Sequence, residues 1–213
     1  MGVKGSRELI LQRIRDGLRV AVAAPPRTES GPIFEHVANP LERFQIECKA
    51  NLIALTLSHD ANESRAQLKA ELDSLAEGEI HVQDSPVLRS MIEAIQINRP
   101  VKWSSQGAPA EASQATVSLA EALVAQTGSI FVSAACGGRG ISVVAPCHIV
   151  FATVGQLVPD LETALRNATA QGMVRKNSFA CMISGSSRTA DIEKILVQGA
   201  HGPRRLAVIL QQS

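Results

Sequence analysis

Short apolar runs alternate with amphipathic segments along this chain, and this alternation constrains its fold more than any other feature. Apolar runs of a few residues bounded by turn residues are typical of buried strands. The intervening segments repeat apolar residues at helical spacing and begin with capping signals, as at Asn39-Pro40. The alternation predicts an α/β fold with a mainly parallel sheet and helices on both faces.

The order of the predicted elements follows from these patterns. Strands are predicted at residues 52–57, 80–82, 129–133, 148–154, 179–183 and 206–210, with a short edge strand around Trp103. Helices are predicted at residues 6–19, from 40 onward, at 62–76, 86–97 and 157–170, and from 189 onward. The helix at 157–170 is expected to bury Leu157, Leu161 and Leu165. Ser118 and Glu121 have the spacing of a capping box, which predicts a further short helix ending at Ala125.

The first 39 residues differ in character from the rest of the chain. The helix at 6–19 is followed by a stretch containing Pro25, Pro26, Gly31 and Pro32, which is typical of a linker or a long loop. We therefore predict an N-terminal helical arm with a Pro-rich linker at residues 1–39 and an α/β domain at residues 40–213. The helix is expected to pack back on the domain, with a mobile, partner-binding arm as the alternative.

The charge and aromatic content exclude several classes of partner. Lys and Arg number 21 against 20 Asp and Glu, and the net charge of +1 gives no attraction to nucleic acid or to an anionic membrane. Aromatic residues make up 3% of the chain and Tyr is absent, which argues against stacking on bases. No apolar run approaches the ~20 residues of a membrane span, and the first 18 residues lack the apolar core of a signal peptide. We expect a cytoplasmic protein.

The four cysteines, Cys48, Cys136, Cys147 and Cys181, contain no Cys-x-x-Cys pair. Zinc ribbons and ferredoxin-type clusters depend on such closely spaced thiolates. We therefore predict that this chain alone holds neither zinc nor an iron–sulfur cluster. The cysteines are expected to be core or spectator thiols, with reactivity of Cys136 and Cys147, which flank a Gly-rich loop, as the alternative.

The stretch Ser184-Gly-Ser-Ser-Arg-Thr-Ala-Asp-Ile-Glu193 carries more polar chemistry than any other. It follows an apolar run and precedes apolar residues at helical spacing, so the sequence predicts a strand, a tight loop and a helix. A helix N-terminus presents backbone N–H groups to an anion, and Arg188 adds a guanidinium suited to a carboxylate or phosphate. The alternative is a simple capped helix start, with Ser187 or Thr189 as the N-cap and Arg188 in water.

A second polar loop, Gly137-Gly-Arg-Gly-Ile-Ser142, follows the strand at 129–133. Its glycines permit positive φ and close approach to a ligand, and Arg139 is a further anion-binding candidate. The loop has neither the Walker ending nor the Gly-x-Gly-x-x-Gly spacing, and a plain flexible loop is the alternative.

Strand direction predicts how these loops are arranged. If the strands at 129–133 and 179–183 are parallel, Arg139 and Arg188 lie at one carboxyl edge of the sheet and share a cleft. His201 is the best histidine for chemistry because it lies between glycines in Gly199-Ala-His-Gly-Pro-Arg204. It precedes the last strand, so we expect it at the opposite edge in a structural role, unless that strand is antiparallel.

Four motifs together resemble the lactate-utilization protein C family, the LutC/YkgG type with a LUD domain. They are Thr127-Gly-Ser129, Gly138-Arg-Gly140, Ser184–Glu193 and Gly199–Arg204. That family usually has Thr-Gly-Thr and Gly-Pro-Ser-Arg, where this chain has Ser129 and Ser186. The resemblance implies an α/β fold of the NagB/RpiA/CoA-transferase-like kind. It also implies membership of a system, with iron–sulfur partner proteins, that oxidises L-lactate to pyruvate.

The resulting hypothesis is a cytoplasmic subunit of an L-lactate-oxidising complex that binds a small anionic ligand and whose partners carry the iron–sulfur clusters. The alternatives are a stand-alone enzyme acting on a phosphorylated or CoA-linked metabolite and a non-catalytic regulatory subunit. No catalytic residue is assigned. The predicted ligand-binding residues are Thr127, Gly128, Gly138, Arg139, Gly140, Ser142, Gly185, Ser186, Ser187, Arg188, Thr189 and Asp191, with Glu193 and His201 in a second tier.

Overall fold

The computed structural model describes residues 5–19, 36–108, 112–189, 197–199 and 201–213. The chain divides into two compact units, Met1–Glu35 and His36–Ser213. The first contains α1 (Ser6–Leu18), so the N-terminal helix is confirmed. The predicted linker falls mostly outside the described residues, and the packing of α1 on the domain stays a prediction. No helix in the described part of the chain combines the length and apolar character needed to cross a bilayer.

The second unit contains all the other elements that the structure describes. Its helices are α2 (Pro40–Ala50), α3 (Ala61–Asp73), α4 (Pro86–Ile95), α5 (Leu161–Ala170) and α6 (Met173–Lys176). Its strands are β1 (Ala54–Ser58), β2 (Ile80–Val82), β3 (Val101–Trp103), β4 (Ala115–Leu119), β5 (Ala122–Val124), β6 (Ser129–Ser133), β7 (Cys147–Thr153), β8 (Leu157–Val158), β9 (Ala180–Ile183), β10 (Arg188–Thr189), β11 (Val197–Gln198) and β12 (Arg205–Gln211).

Six of these strands form a wholly parallel sheet in the order β1-β12-β7-β4-β2-β3. One face packs against α3 and α4 through apolar side chains such as Leu68, Leu72 and Leu88, which share a buried cluster with Ile80 and Ile149. Burial of this apolar surface is the main force that holds the layers together. The predicted α/β class, the mainly parallel sheet and the edge position of Trp103 are confirmed.

The other face is covered by α2 and by a second sheet. Phe44 and Cys48 of α2 share a buried cluster with Ile130 and Val132 of β6 and with Val208 of the large sheet. The second sheet has the order β8-β5-β6-β9, with β6 antiparallel to both β5 and β9. Asn39 caps α2 as predicted, because its side chain accepts a hydrogen bond from the Glu42 amide.

The second sheet was not predicted, and it explains two errors. Residues 118–125 contain the end of β4 and all of β5 rather than a helix: Ser118 belongs to β4, and Glu121 precedes β5. The Ser118 hydroxyl bonds His148 instead of capping a helix. Leu157 is likewise in β8, and α5 begins only at Leu161, with Asp160 as its N-cap. Pairing with neighbouring strands thus overrode local helical signals.

Two further corrections concern helices. The inner face of α5 is formed by Ala164 and Ala168, whereas Leu165 is 51% exposed. Arg188–Thr189 does not begin a helix, because it pairs antiparallel with Val197–Gln198. In such a strand pair the backbone N–H and C=O groups point toward the partner strand, so the helix N-terminus predicted at Thr189 is absent from that position. Residues 190–196, with Asp191 and Glu193, lie outside the described residues.

Candidate anion-binding site at the amino edge of the large sheet

A chain of hydroxyl groups joins the first motif to the third. Thr127 Oγ1 lies 2.6 Å from Ser129 Oγ, which in turn lies 2.6 Å from Ser184 Oγ. The contact arises because β9 is antiparallel to β6, so the end of β9 lies beside the start of β6. The Asn51 side chain, just before β1, donates to the Thr127 carbonyl at 2.9 Å. The two motifs are therefore tied to the amino edge of the large sheet.

Two glycines allow this close packing. Gly128 and Gly185 have φ of +62° and +108°, which disfavours residues with a Cβ. A Cβ on Gly185 would lie 2.6 Å from the Asn51 carbonyl oxygen, and one on Gly128 would lie 2.8 Å from Glu47 Cβ. Packing alone therefore requires glycine at both positions.

The fourth motif binds the backbone of the third. The Ser187 amide donates to the Pro203 carbonyl at 2.9 Å, and the Gly199 amide donates to the Ser187 carbonyl at 2.8 Å. The His201 amide also donates to Ser187 Oγ at 3.4 Å. The two loops thus form one unit, which the β10–β11 ladder extends.

His201 therefore lies beside the loop that carries Arg188, and the prediction that the two lie at opposite edges was wrong. The last strand, β12, is parallel to its neighbours, as assumed. The error was to place residues 179–183 in the same sheet. They form β9 of the second sheet, whose direction brings the Ser184 loop to the amino edge.

An open pocket of about 460 Å³ adjoins these loops. It is lined by Val143, Val144, Ala145, Pro146, Gly199, His201, Gly202 and Arg204. The Arg204 amide donates to the Pro146 carbonyl at 2.8 Å, which joins the two walls of the pocket. The Arg204 side chain lies against Gly199, where a Cβ would be 2.1 Å from Arg204 Cγ. Arg204 lies within one of the four motifs but is not among the ligand-binding residues predicted from the sequence.

Two arginines of the described residues are exposed at these loops. Arg188, His201 and Arg204 are all exposed, and the Arg188 guanidinium lies over Gly185. Among the described residues, no carboxylate lies within ion-pair distance of Arg188 or Arg204. Exposed guanidinium groups suit a small carboxylate or phosphate. Ser186 is buried, and the side chain of Thr189 is outside the described residues.

The Gly-rich loop does not join this site. Arg139 donates to the Ser178 carbonyl at 3.1 Å and lies 5.8 Å from the centre of the Phe179 ring. Both contacts are at the start of β9, whereas Arg188 follows its end. The predicted shared cleft was wrong, because it assumed that β6 and β9 are parallel. Ligand binding by Gly138, Arg139, Gly140 and Ser142 stays a separate prediction.

Three of the four cysteines are buried, and Cys181 is half-buried. Burial raises the pKa of Cys48 and of Cys136 to about 12 and that of Cys147 to about 11. Within the described ranges, no group of three or more His, Cys, Asp or Glu is placed to hold a metal ion. The prediction about metals stays a prediction.

The fold and the converging loops define an α/β domain with a candidate anion site at the amino edge of its parallel sheet. The model of the LUD domain family matches residues 41–211, and the chain belongs to that family. A DUF162 family protein from Deinococcus radiodurans has a similar structure, with a TM-score of 0.62, 21% identity, and coverage of 80% of this chain and 95% of that one. That likeness supports the fold.

Several relatives that the chain matches share the name Lactate utilization protein C. The chain is 35% identical over 89 residues to Lactate utilization protein C of Deinococcus radiodurans, covering 41% of each. It is 31% identical over 104 residues to Lactate utilization protein C 1 of Bacillus mycoides, covering 47% of this chain and 44% of the relative. Against the Bacillus subtilis protein, identity is 30% over 127 residues, with 51% and 52% covered. The chain thus spans about half or less of the relatives it matches.

Proposed function

We propose that this chain is a component of a lactate-utilisation system. Its membership of the LUD domain family and its similarity to proteins named Lactate utilization protein C support this role. Within that role, the chain acts in the oxidation of L-lactate to pyruvate. Its task there is to bind the small carboxylate rather than to carry electrons.

The observation that carries the proposal is the convergence of two motif loops around exposed cations. Ser187 is bonded to the His201 loop through its amide, its carbonyl and its hydroxyl. Arg188 and Arg204 project from the same unit. A guanidinium binds a carboxylate through two parallel hydrogen bonds, and a flanking hydroxyl donor fits the 2-hydroxy or 2-oxo group of lactate or pyruvate.

Electron transfer is assigned to iron–sulfur partner proteins. The cysteine spacing of this chain does not match a cluster motif. The chain therefore works beside proteins that hold the clusters.

The binding role is tested by titrating the purified chain with L-lactate and with pyruvate by calorimetry. Arg188→Ala should weaken binding at least tenfold, because a hydrogen bond to a charged group contributes about 1.5–3 kcal/mol. Arg166→Ala, which removes an exposed guanidinium on α5, is the matched control and should bind as the wild type does. Equal binding by wild type and Arg188→Ala would contradict the assignment.

A stand-alone enzyme acting on a phosphorylated or CoA-linked metabolite is the second candidate. The same arginines would hold a phosphate, and the pocket of about 460 Å³ admits more than a three-carbon acid. Binding of inorganic phosphate in place of lactate, with turnover by the isolated chain, would favour this function.

A further inference from the structure

The face of the large sheet that meets α2 and the second sheet changes from apolar to polar across its width. Its apolar half, formed by strands β1, β12 and β7, includes Leu55, Val150, Leu206 and Val208. Its polar half, which we call the polar half-face, is formed by His81 on β2, Gln83 just after β2, Thr116 and Ser118 on β4, and His148 on β7. A buried polar surface costs free energy unless its groups have partners.

Register aligns three of these residues in one row. His81 is paired with Thr116, and Thr116 is paired with His148, so the three side chains lie on the same face of three adjacent strands. His81 is 1% exposed, and the other two are fully buried. Ser118 is the next residue of β4 on the same face, and its Oγ lies 2.9 Å from His148 Nε2, so it is linked to this row.

The two histidines have hydrogen-bonding capacity that the described residues do not use. Neither ring nitrogen of His81 has a partner among them, nor does Nδ1 of His148. Burial lowers the pKa of both histidines, so both rings are neutral near pH 7 and each offers one donor and one acceptor. The charges nearest His81, Glu79 and Lys102, are already paired at 2.9 Å. Leu or Val at position 81 would avoid this cost, and buried polar groups are nearly always satisfied in native proteins.

The chain that follows β6 covers this surface. The Gln83 side chain donates to the Ala135 carbonyl at 3.0 Å, at the carboxyl end of β2. Gly137 packs on Ser104, where a Cβ would lie 2.9 Å from Ser104 Cβ. The segment Arg139–Ser142 then packs against β4, and Pro146 reaches the amino edge. The Gly-rich loop therefore runs along the polar half-face with little side-chain bulk at its start.

The connections between strands change direction at this part of the large sheet. From β2 the chain passes through α4 to β3 at the outer edge, whereas from β4 it leads to β7 on the other side. Strands β2 and β4 are neighbours, so the connections leave them in opposite directions. Open α/β sheets bind ligands outside the carboxyl ends of the strands at such a switch. Gln83 lies at that end of the polar half-face, whereas the row of His81, Thr116 and His148 lies nearer the amino ends.

We propose that the polar half-face beneath the Gly-rich loop is a second ligand site, for a small metabolite that bears hydroxyl or carbonyl oxygens. Its oxygens bond the free nitrogens of His81 and His148 and the hydroxyl of Thr116, which in this structure donates to the Cys147 carbonyl at 3.5 Å. Such a molecule enters when the loop around Gly137 and Gly138 is displaced. These two residues have φ of +112° and +93°, a backbone conformation that favours glycine. The site is separate from the anion site and does not depend on it.

The first experiment observes the imidazole nitrogens by NMR in the full chain labelled with ¹⁵N-histidine. L-lactate, pyruvate and glycerol are titrated separately, as an acid, an oxo acid and a neutral polyol. We expect at least one to shift the His81 and His148 signals with saturation. Thr116→Val should raise its half-saturating concentration at least tenfold, and the exposed-site variant His59→Gln should not change it. Shifts confined to His201 would place the ligand at the anion site only and overturn the proposal, as would no shift with any probe.

The second experiment separates a ligand role from a structural one. If His81 binds a ligand, His81→Leu removes two unsatisfied buried nitrogens, so the ligand-free protein should melt at a higher temperature. The ligand detected by NMR should then no longer raise the melting temperature. If His81 is a structural residue, the variant melts at a lower temperature or does not fold. That result, together with unperturbed imidazole signals in the wild type, would overturn the proposal.

Discussion

Single atoms decide how closely the motif loops approach the rest of the domain. The loop at Ser184 reaches the amino edge only because Gly185 has no Cβ facing the Asn51 carbonyl oxygen. The neighbouring Ser129 and Ser184 hydroxyls then bond at 2.6 Å. A loop predicted to bind a ligand thus also has a packing role. Substituting Gly185, and a second glycine that has no close neighbour, separates the cost of backbone strain from the cost of steric contact.

Gly185→Ala should destabilise the protein by about 2–4 kcal/mol, because it combines a positive φ with a clash against the backbone of Asn51. Gly107→Ala is the matched control: Gly107 has φ +127°, and no atom of the described residues lies within 4 Å of the added Cβ, so only the backbone strain of about 1–3 kcal/mol is expected. Urea denaturation measures both free energies of unfolding. Equal losses in the two variants would show that the Asn51 contact does not matter.

At the scale of elements, capping and strand pairing compete for the same residues. Ser118 and Glu121 have the spacing of a helix start, yet both side chains bond residues of the sheets. Ser118 bonds His148 of β7, and Glu121 accepts a hydrogen bond from Ser133 of β6. The true start of the following helix, α5, is fixed by Asp160, whose carboxylate accepts a hydrogen bond from the Thr163 amide at 2.7 Å. That bond also lowers the pKa of Asp160.

Asp160→Ala should therefore cost about 1 kcal/mol of folding free energy, since it leaves a helix N-terminal amide without its cap. Asp160→Asn keeps an accepting oxygen and should retain most of the stability. Both are measured by urea denaturation at pH 7. A loss in the Asn variant as large as in the Ala variant would mean that charge, rather than the cap, holds the start of α5.

At the scale of the whole molecule, buried histidines couple folding to pH. Burial lowers the pKa of His148 to about 4, against about 6.5 in an unfolded chain. Between these values the unfolded state binds more protons, so stability falls as the pH falls. His148 contributes this effect fully above pH 6.5 and loses it progressively toward pH 4. His81, whose pKa is also lowered by burial, acts in the same direction.

The protein should lose about 2 kcal/mol of stability between pH 7 and pH 5 through His148 alone. Denaturant titrations at the two pH values measure this loss. His148→Gln should make the dependence shallower, and the exposed-site control His59→Gln should leave it unchanged. A wild-type stability that is flat from pH 7 to pH 5 would contradict the neutral, buried state of these rings.

The sequence by itself determined the local structure of this protein, including the Asn39 cap, the strand at residues 80–82 and the polar motifs. Apolar periodicity and capping chemistry act over a few residues, so they can be read directly from the chain. It did not determine that β6 and β9 form a second, antiparallel sheet, because strand direction depends on partners far away in the sequence. Only that pairing placed Ser184–Arg188 beside His201 and Arg139 at the other end of β9. Which motifs meet was therefore decided by the tertiary structure.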